Sequence, residues 1–490
     1  MYKISSNNID LVNIGLVLNG EKTLSQLLNT ILTTGMSLCS CDAGIIHLLE
    51  NDMLHYTLFH AKSTKISLSN LQTSQIPMMP IPMNENNIYT TAIQSNQIIY
   101  IANINNCNDY DLSLCMAFDK KTHYYTQSMV VIPLYTNENE PLGILQLMNC
   151  INGKNRIVPF PNDIDFSLFY FATQAALAIS NINYTQEIKD LLTSFAEAMA
   201  TAIDERAPYN AKHSRNVARY VQNFIMYYND QYKQGYVNEY FDDNRAEQLY
   251  LAALLHDIGK LAIPPEIMNK ESRLANLTEP LFNRFEMLRC YYKIDYLEQH
   301  LCKTEYENKV EELNQIQNFV SDINKMPSLD DDILQKVDQL RQHSYINSDG
   351  TTIPYFTSEE IECLSIRKGT LTKYERKIME GHVIITSKML SRFKFKSHYT
   401  NIPRWANNHH EFLDGTGYPN HLTSKDMPLE MRMLCICDIY DALTATDRPY
   451  KKPLSEPKAL EILHQMAKEG KLDMSLVYIF TDMVNTNRNT

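Results

Sequence analysis

Leu254-Leu-His-Asp-Ile-Gly-Lys260 sets an imidazole beside a carboxylate at the end of an apolar helical run that stops at Gly259. Adjacent His256 and Asp257 offer one ligand to each of two divalent ions, and the carboxylate can bridge them. An isolated His-Asp dipeptide is more often a surface or hydrogen-bonded pair, so its company decides. His213 falls on the helical face of Val217, Val221 and Phe224; His382 falls on the face of Ile378 and Ile385, in a helix opened by the capping box Thr372-Lys-Tyr-Glu375. His409 and His410 follow Trp405. Asp438 lies in the apolar segment Met433-Leu-Cys-Ile-Cys-Asp-Ile-Tyr-Asp-Ala-Leu443, where an unpaired carboxylate would be costly. Five imidazoles and two carboxylates in largely apolar helical surroundings are hard to satisfy without metal.

Working outward, a chain of 490 residues holds two to four units at about 150 residues each. With 44% apolar and 21% charged residues it reads as globular, and no window approaches the roughly 18 apolar residues of a membrane span. The polar start, Met1 to Leu11, carries no export signal, which places the chain in the cytoplasm without a membrane partner. Ten cysteines, scattered from Cys39 to Cys437 without zinc-knuckle or dithiol spacing, read as reduced and mostly buried thiols. A net charge of −12 argues against a nucleic acid polymer as partner, and an anionic ligand would need local positive charge.

After a lead segment, 1–21, residues 22–162 alternate short β-rich runs with helical ones and read as an α+β domain. Ser128 to Leu134, a turn at Asn137 to Glu140, and Pro141 to Asn149 form a hairpin in the sheet centre. From Asp163 to Ala207 there is no Gly or Pro, and Leu177, Ile188, Leu191, Leu192, Phe195, Met199 and Ile203 recur at helical spacing. That span, 163–207, is a connecting helix: a packed connector or, in the favoured reading, the parallel seam of a homodimer. Residues 208–480 read as all-helical.

The order His213, His256-Asp257, His382, His409-His410, Asp438, with Gly417-Tyr418-Pro419 between, resembles the HD-GYP family of cyclic-dinucleotide phosphodiesterases. His256 to Pro264, His409 to Pro419 and Asp438 to Lys452 carry the likeness, which covers about 195 to 275 and 365 to 470. The hairpin, Phe160, Asp163 and the helix Gln174 to Asn181 resemble the end of a GAF domain, with Asn149 and Phe160 matching the nucleotide-binding members and Cys150 in their lysine position. Together these imply an α+β GAF-like domain joined by a long helix to an all-α HD-GYP domain with a helical insert at about 276–365.

The resemblance implies that His213, His256, Asp257, His382, His409, His410 and Asp438 hold two divalent ions with Asp257 as bridge. Such a ligand set suits iron or manganese and leaves zinc, nickel and cobalt open. Lys260 would grip the phosphate and serve catalysis with Asp257, while Tyr418, Asp441 and Arg448 would help hold the dinucleotide. Lys451 and Lys452 either add positive charge there or lie on a solvated loop. The implied activity is hydrolysis of cyclic di-GMP to linear pGpG and on to GMP, under the GAF-like domain, whose ligand is open. The alternatives are an idle cyclic-dinucleotide receptor and a phosphodiesterase for cyclic GMP-AMP. Family members with a third metal place a Glu four residues before the first His; Tyr209 stands there, which implies two ions. The insert reads as a helical hairpin that covers the cleft, extends a dimer contact or only stabilises.

Overall fold

The computed structural model of the chain describes residues 15–21, 23–71, 75–161, 164–206, 212–347, 349–396, 399–445 and 453–488. They divide into two compact units, Met1–Leu191 and Leu192–Thr490.

In the first unit, helix α1 (Leu24–Leu38) is capped by the Thr23 hydroxyl and precedes strands β1 (Cys41–Glu50) and β2 (Met53–Ala61). Asn51 and Asp52 between them both take positive φ, the left-handed pair that a two-residue hairpin turn requires. Next come β3 (Ile66–Ser69), β4 (Ile81–Pro82), α2 (Ile88–Ser95), β5 (Ile99–Ile101), α3 (Ser113–Thr122), β6 (Met129–Tyr135), β7 (Pro141–Ile151) and β8 (Ile157–Val158). The antiparallel sheet runs β3-β2-β1-β7-β6-β5, with β4 beside β2 and β8 beside β7. Strands β1 and β7 are covered on both faces, which explains why they read as continuous apolar runs. One face packs on Leu28, Ile31 and Leu32 of α1 together with Leu168, Phe171 and Ala175. The other packs on Tyr89 and Ile93 of α2 and Phe118 of α3. Asn149 is spent on structure: its Oδ1 accepts from the Gln127 and Ser128 amides, and its Nδ2 donates to Tyr124 Oη and the Tyr125 carbonyl.

Helix α4 (Asp165–Arg206) is unbroken, so the long helix stands, while Asp163 and Ala207 lie outside the described residues. Its Tyr184, Ile188 and Leu191 are exposed, whereas Ala196, Ala200 and Ile203 are buried in the core of the second unit.

That core unites α5 (His213–Lys233) and α6 (Asp243–Leu255) with later helices after an excursion. The excursion holds α7 (Thr278–Leu297), α8 (Lys303–Asn324), α9 (Asp331–Gln339), a hairpin of β9 (Ser344–Ile346) and β10 (Thr352–Pro354), and α10 (Ser358–Leu364). It is thus helical but larger than a helical hairpin, and has its own core around Phe285, Leu313, Val320 and Phe356. Arg273, fully buried, closes its neck: Nη1 donates to the Ile323 and Met326 carbonyls and Nε to the Ile366 carbonyl. The chain then returns through α11 (Lys373–Glu380), α12 (His382–Leu390), α13 (Ile402–Asn407), α14 (Leu429–Thr444), α15 (Glu456–Lys468) and α16 (Met474–Arg488). The Thr372–Glu375 capping box opens α11 as expected, but α11 ends at Glu380, so His382 opens α12 rather than sharing one helix with Ile378.

Candidate metal centre

Each inward histidine is aimed by a hydrogen bond behind it. His256 closes α6, and its Nδ1–H donates to the Ala253 carbonyl at 2.7 Å; His382 does the same to Met379 and His409 to Ala406, also at 2.7 Å. In all three the acceptor lies three residues back, at the end of a helical turn. With Nδ1 protonated, the Nε2 lone pair faces inward, which is the tautomer a metal binds. His213, opening α5, is held from behind by Asp441, whose Oδ2 lies 2.7 Å from Nδ1.

Asp257 sits where the inward nitrogens meet. Its Oδ2 lies 3.4 Å from His213 Nε2 and 3.3 Å from His256 Nε2, and Asp438 Oδ1 reaches the same His213 nitrogen at 3.1 Å. Its Oδ1 lies 3.3 Å from His382 Nε2 and 3.9 Å from His409 Nε2. His410 Nδ1 stands 3.5 Å from Asp438 Oδ2. The side chains therefore form two nests, His213/His256/Asp438 and His382/His409/His410, and a third group, His256/Asp257/His409, joins them through Asp257.

The donor set fits a metal pair. Asp257 Oδ1, His382 Nε2 and His409 Nε2 are buried without a hydrogen-bond partner, and all three face one another. Leaving buried polar atoms unpaired costs about 1–3 kcal/mol each, so three at one point ask for a cation. Burial pushes His382 down to about 4 and His409 well below its usual range, keeping both rings neutral and ligating. Against the burial penalty, Lys260 and His256 hold Asp257 well below the usual carboxylate range, and His213 does the same for Asp438. Burial alone would lower His213, yet Asp438 and Asp441 push it up to about 9, so an ion on that side must displace a proton.

Lys260, His410 and Tyr418 are the partly exposed members, and they mark the open side. Lys260 Nζ rests 2.5 Å from Asp257 Oδ2, and the Tyr418 ring lies 4.8 Å from the His410 ring. Asp441, expected among substrate contacts, is instead buried behind His213; one helical turn past Asp438 on α14, it reaches the far side of that ring. Arg448, Lys451, Lys452 and Tyr209 lie outside the described residues.

Two positioning side chains, Glu411 and Thr386, had no assignment from sequence. Glu411, fully buried, accepts from the amides of Asn420 (2.6 Å) and Leu422 (2.9 Å) and so ties the loop bearing Tyr418 to the His409-His410 turn. Gly417 packs so tightly there that a Cβ would sit 2.4 Å from Glu411 Cα. Thr386 of α12 accepts from the Gly259 amide (3.0 Å) and donates to the His256 carbonyl (3.1 Å). Only the adjacency of Glu411 to two ligands could have signalled any of these.

Residues 23–179 match the family model described as a GAF domain, and residues 210–314 and 323–476 match two models described as HD domains. The chain carries a GAF domain followed by an HD-domain region, and that region is similar to cyclic di-GMP and 3′3′-cGAMP phosphodiesterases. Among its relatives, 3′3′-cGAMP-specific phosphodiesterase 1 of Vibrio cholerae is 27% identical over 58% of this chain and 39% of its own length. A cyclic di-GMP phosphodiesterase of Pseudomonas aeruginosa is 43% identical over 16% of this chain and 18% of its own. A crystal structure of a cyclic GMP-AMP specific phosphodiesterase of V. cholerae aligns at 14% identity over 61% of this chain and 49% of that one, with a TM-score of 0.30. The chain thus spans between about a fifth and two fifths of the length of the curated relatives it matches. Among its described residues, no helix is long and apolar enough to cross a membrane.

Proposed function

We propose that the second unit hydrolyses a cyclic dinucleotide, cyclic di-GMP first, to the linear dinucleotide pGpG. The observation that carries this reading is Asp257, whose two carboxylate oxygens face separate sets of buried imidazoles, three of the facing atoms being otherwise unpaired. Two divalent ions, iron or manganese, would supply Lewis-acid polarisation of the phosphodiester and acidification of water. His213, His256 and Asp438 would hold one, and His382, His409 and His410 the other, with Asp257 shared.

The remaining chemistry belongs to the open side. Lys260 reaches Asp257 from a partly exposed position, so its ammonium can turn to a non-bridging phosphate oxygen and offset charge as it develops there. Tyr418, its ring tilted beside that of His410, presents a flat wall for a base. In the reaction a water oxygen bonds to phosphorus, the P–O3′ bond breaks and the released 3′ oxygen takes a proton. All seven ligands and Lys260 are present, which weighs against an idle receptor.

A second substrate, 3′3′-cGAMP, follows from the relative with the longer match. The GAF domain would regulate the site, and a homodimer seam along α4 would use its exposed Ile188 and Leu191. Elemental analysis of anaerobically purified protein, with chromatography of the products from each cyclic dinucleotide, tests the reading. Two ions per chain and a linear product support it; metal-loaded protein that opens neither substrate overturns it.

A further inference from the structure

We infer that Thr386 is a positioning residue that sets the second metal nest and not the first. This rests on the two-ion reading above and goes beyond it by dividing the centre into separately supported halves.

The first nest takes His213 from α5 and Asp438 from α14, and the second takes His382 from α12 and His409 and His410 from the turn after α13. Asp257 serves both, so the second nest exists only if the His256–Lys260 turn is held in register with α12. Thr386 makes that connection. Fully buried one turn into α12, its Oγ1 accepts from the Gly259 amide at 3.0 Å and donates to the His256 carbonyl at 3.1 Å, bracketing Asp257 on both sides in sequence. The contact is close: a Cβ on Gly259 would lie 1.9 Å from the His382 carbonyl oxygen and 2.7 Å from the Thr386 amide nitrogen. Only glycine lets α12 come near enough for the hydroxyl to reach both groups, and so for His382 Nε2 to stand 3.3 Å from Asp257 Oδ1.

His213 is fixed by different means. Its rear hydrogen bond goes to Asp441 on α14, and Asp438 on the same helix meets its inner nitrogen, so that α5–α14 pairing involves neither Thr386 nor α12. Losing the hydroxyl should let the turn and α12 part by a few tenths of an ångström. The Asp257–His382 side loosens, while His213 and Asp438 keep their places and the His256 ring, though its carbonyl loses a donor, is still aimed by the Ala253 carbonyl. Groups that orient ligands from behind typically change metal affinity by about 10- to 100-fold.

The test is titration of the full-length apo protein with Mn2+, read by calorimetry and by electron paramagnetic resonance, which separates a spin-coupled pair from a single ion. Wild type should bind two ions and give the coupled signal. Thr386→Val, which keeps the volume and removes the hydroxyl, should retain one site within about twofold, weaken the other at least about tenfold, and give the uncoupled signal. Thr386→Ser, which restores the hydroxyl, should recover the pair. Two sites unchanged in Thr386→Val, or both weakened alike, would overturn the inference. A Thr386→Ser variant that behaves like valine would also overturn it, since packing rather than the hydroxyl would then be responsible. Wild-type protein that binds no Mn2+ would instead overturn the two-ion reading, and the division of the centre with it.

Discussion

Asp441 and His213 meet at 2.7 Å on α14 and α5, both buried, so the carboxylate fixes the ring whose other nitrogen faces Asp257 and Asp438. Asp441→Asn should keep the shape and remove the charge behind that ring. The expected outcome is metal affinity lowered by about 10- to 100-fold at the first nest with helix content intact, measured by metal titration and far-UV circular dichroism. Unchanged affinity would show that His213 needs no partner.

Replacing His256 and Asp257 together with Ala removes one imidazole of the first nest and the carboxylate that lies between the two. Metal content should fall below one ion per chain and hydrolysis to background, while the apolar core around Val221, Phe224, Leu254 and Ile436 keeps the helices. Elemental analysis and product chromatography check this, and wild-type turnover in the double variant would refute the metal assignment.

Lys260→Ala should spare the metals and lower kcat for the diester by about 10²-fold, the scale of losing one group that stabilises developing oxyanion charge. Metal loss in parallel with activity would mean that Lys260 supports Asp257 rather than substrate.

Gly417→Ala drives a methyl to 2.4 Å from Glu411 Cα and the Phe412 amide nitrogen. The loop must shift, at a cost of about 1–3 kcal/mol, and Tyr418 moves with it. Urea denaturation reads the first effect, and a raised KM with retained metal reads the second.

The Lys270–Glu375 pair, with both carboxylate oxygens 2.8 Å from Nζ, joins the region before the insert to the cap of α11. Burial would raise Glu375, yet Lys270 and the Thr372 amide hold it below its ordinary value. A depressed folded pKa stabilises above the unfolded value, about 4.3, and that stability disappears as pH falls through the folded one. Wild type should therefore melt above Glu375→Gln at pH 7, and the gap should close toward pH 3. A gap independent of pH would assign the effect to capping alone.

The gathering of the centre's histidines and carboxylates was legible because they come from compact local patterns, where helical spacing turns His213 and Asp438 inward. Asp441 and Thr386 were not legible in the hydrogen bonds they make. Each is an unremarkable polar residue on a helix, and what it touches depends on which helix packs opposite. The insert's β9–β10 ribbon escaped because each strand has three residues, too few for period-2 alternation to register, although Asp349-Gly350 is a fair turn signal. Asn149 matched a ligand-binding pattern in sequence, yet four hydrogen bonds inside the sheet engage it.

Arg273 bears on how the chain finds this fold at all. Asp257 and His382 must meet across a long intervening segment, and closing a loop costs entropy that grows with the logarithm of its length. By gathering carbonyls from residues 323, 326 and 366 onto one guanidinium, the neck ties off most of that segment locally. Once the excursion has collapsed on its own core, the search that brings the two ligands together is that of a far shorter chain.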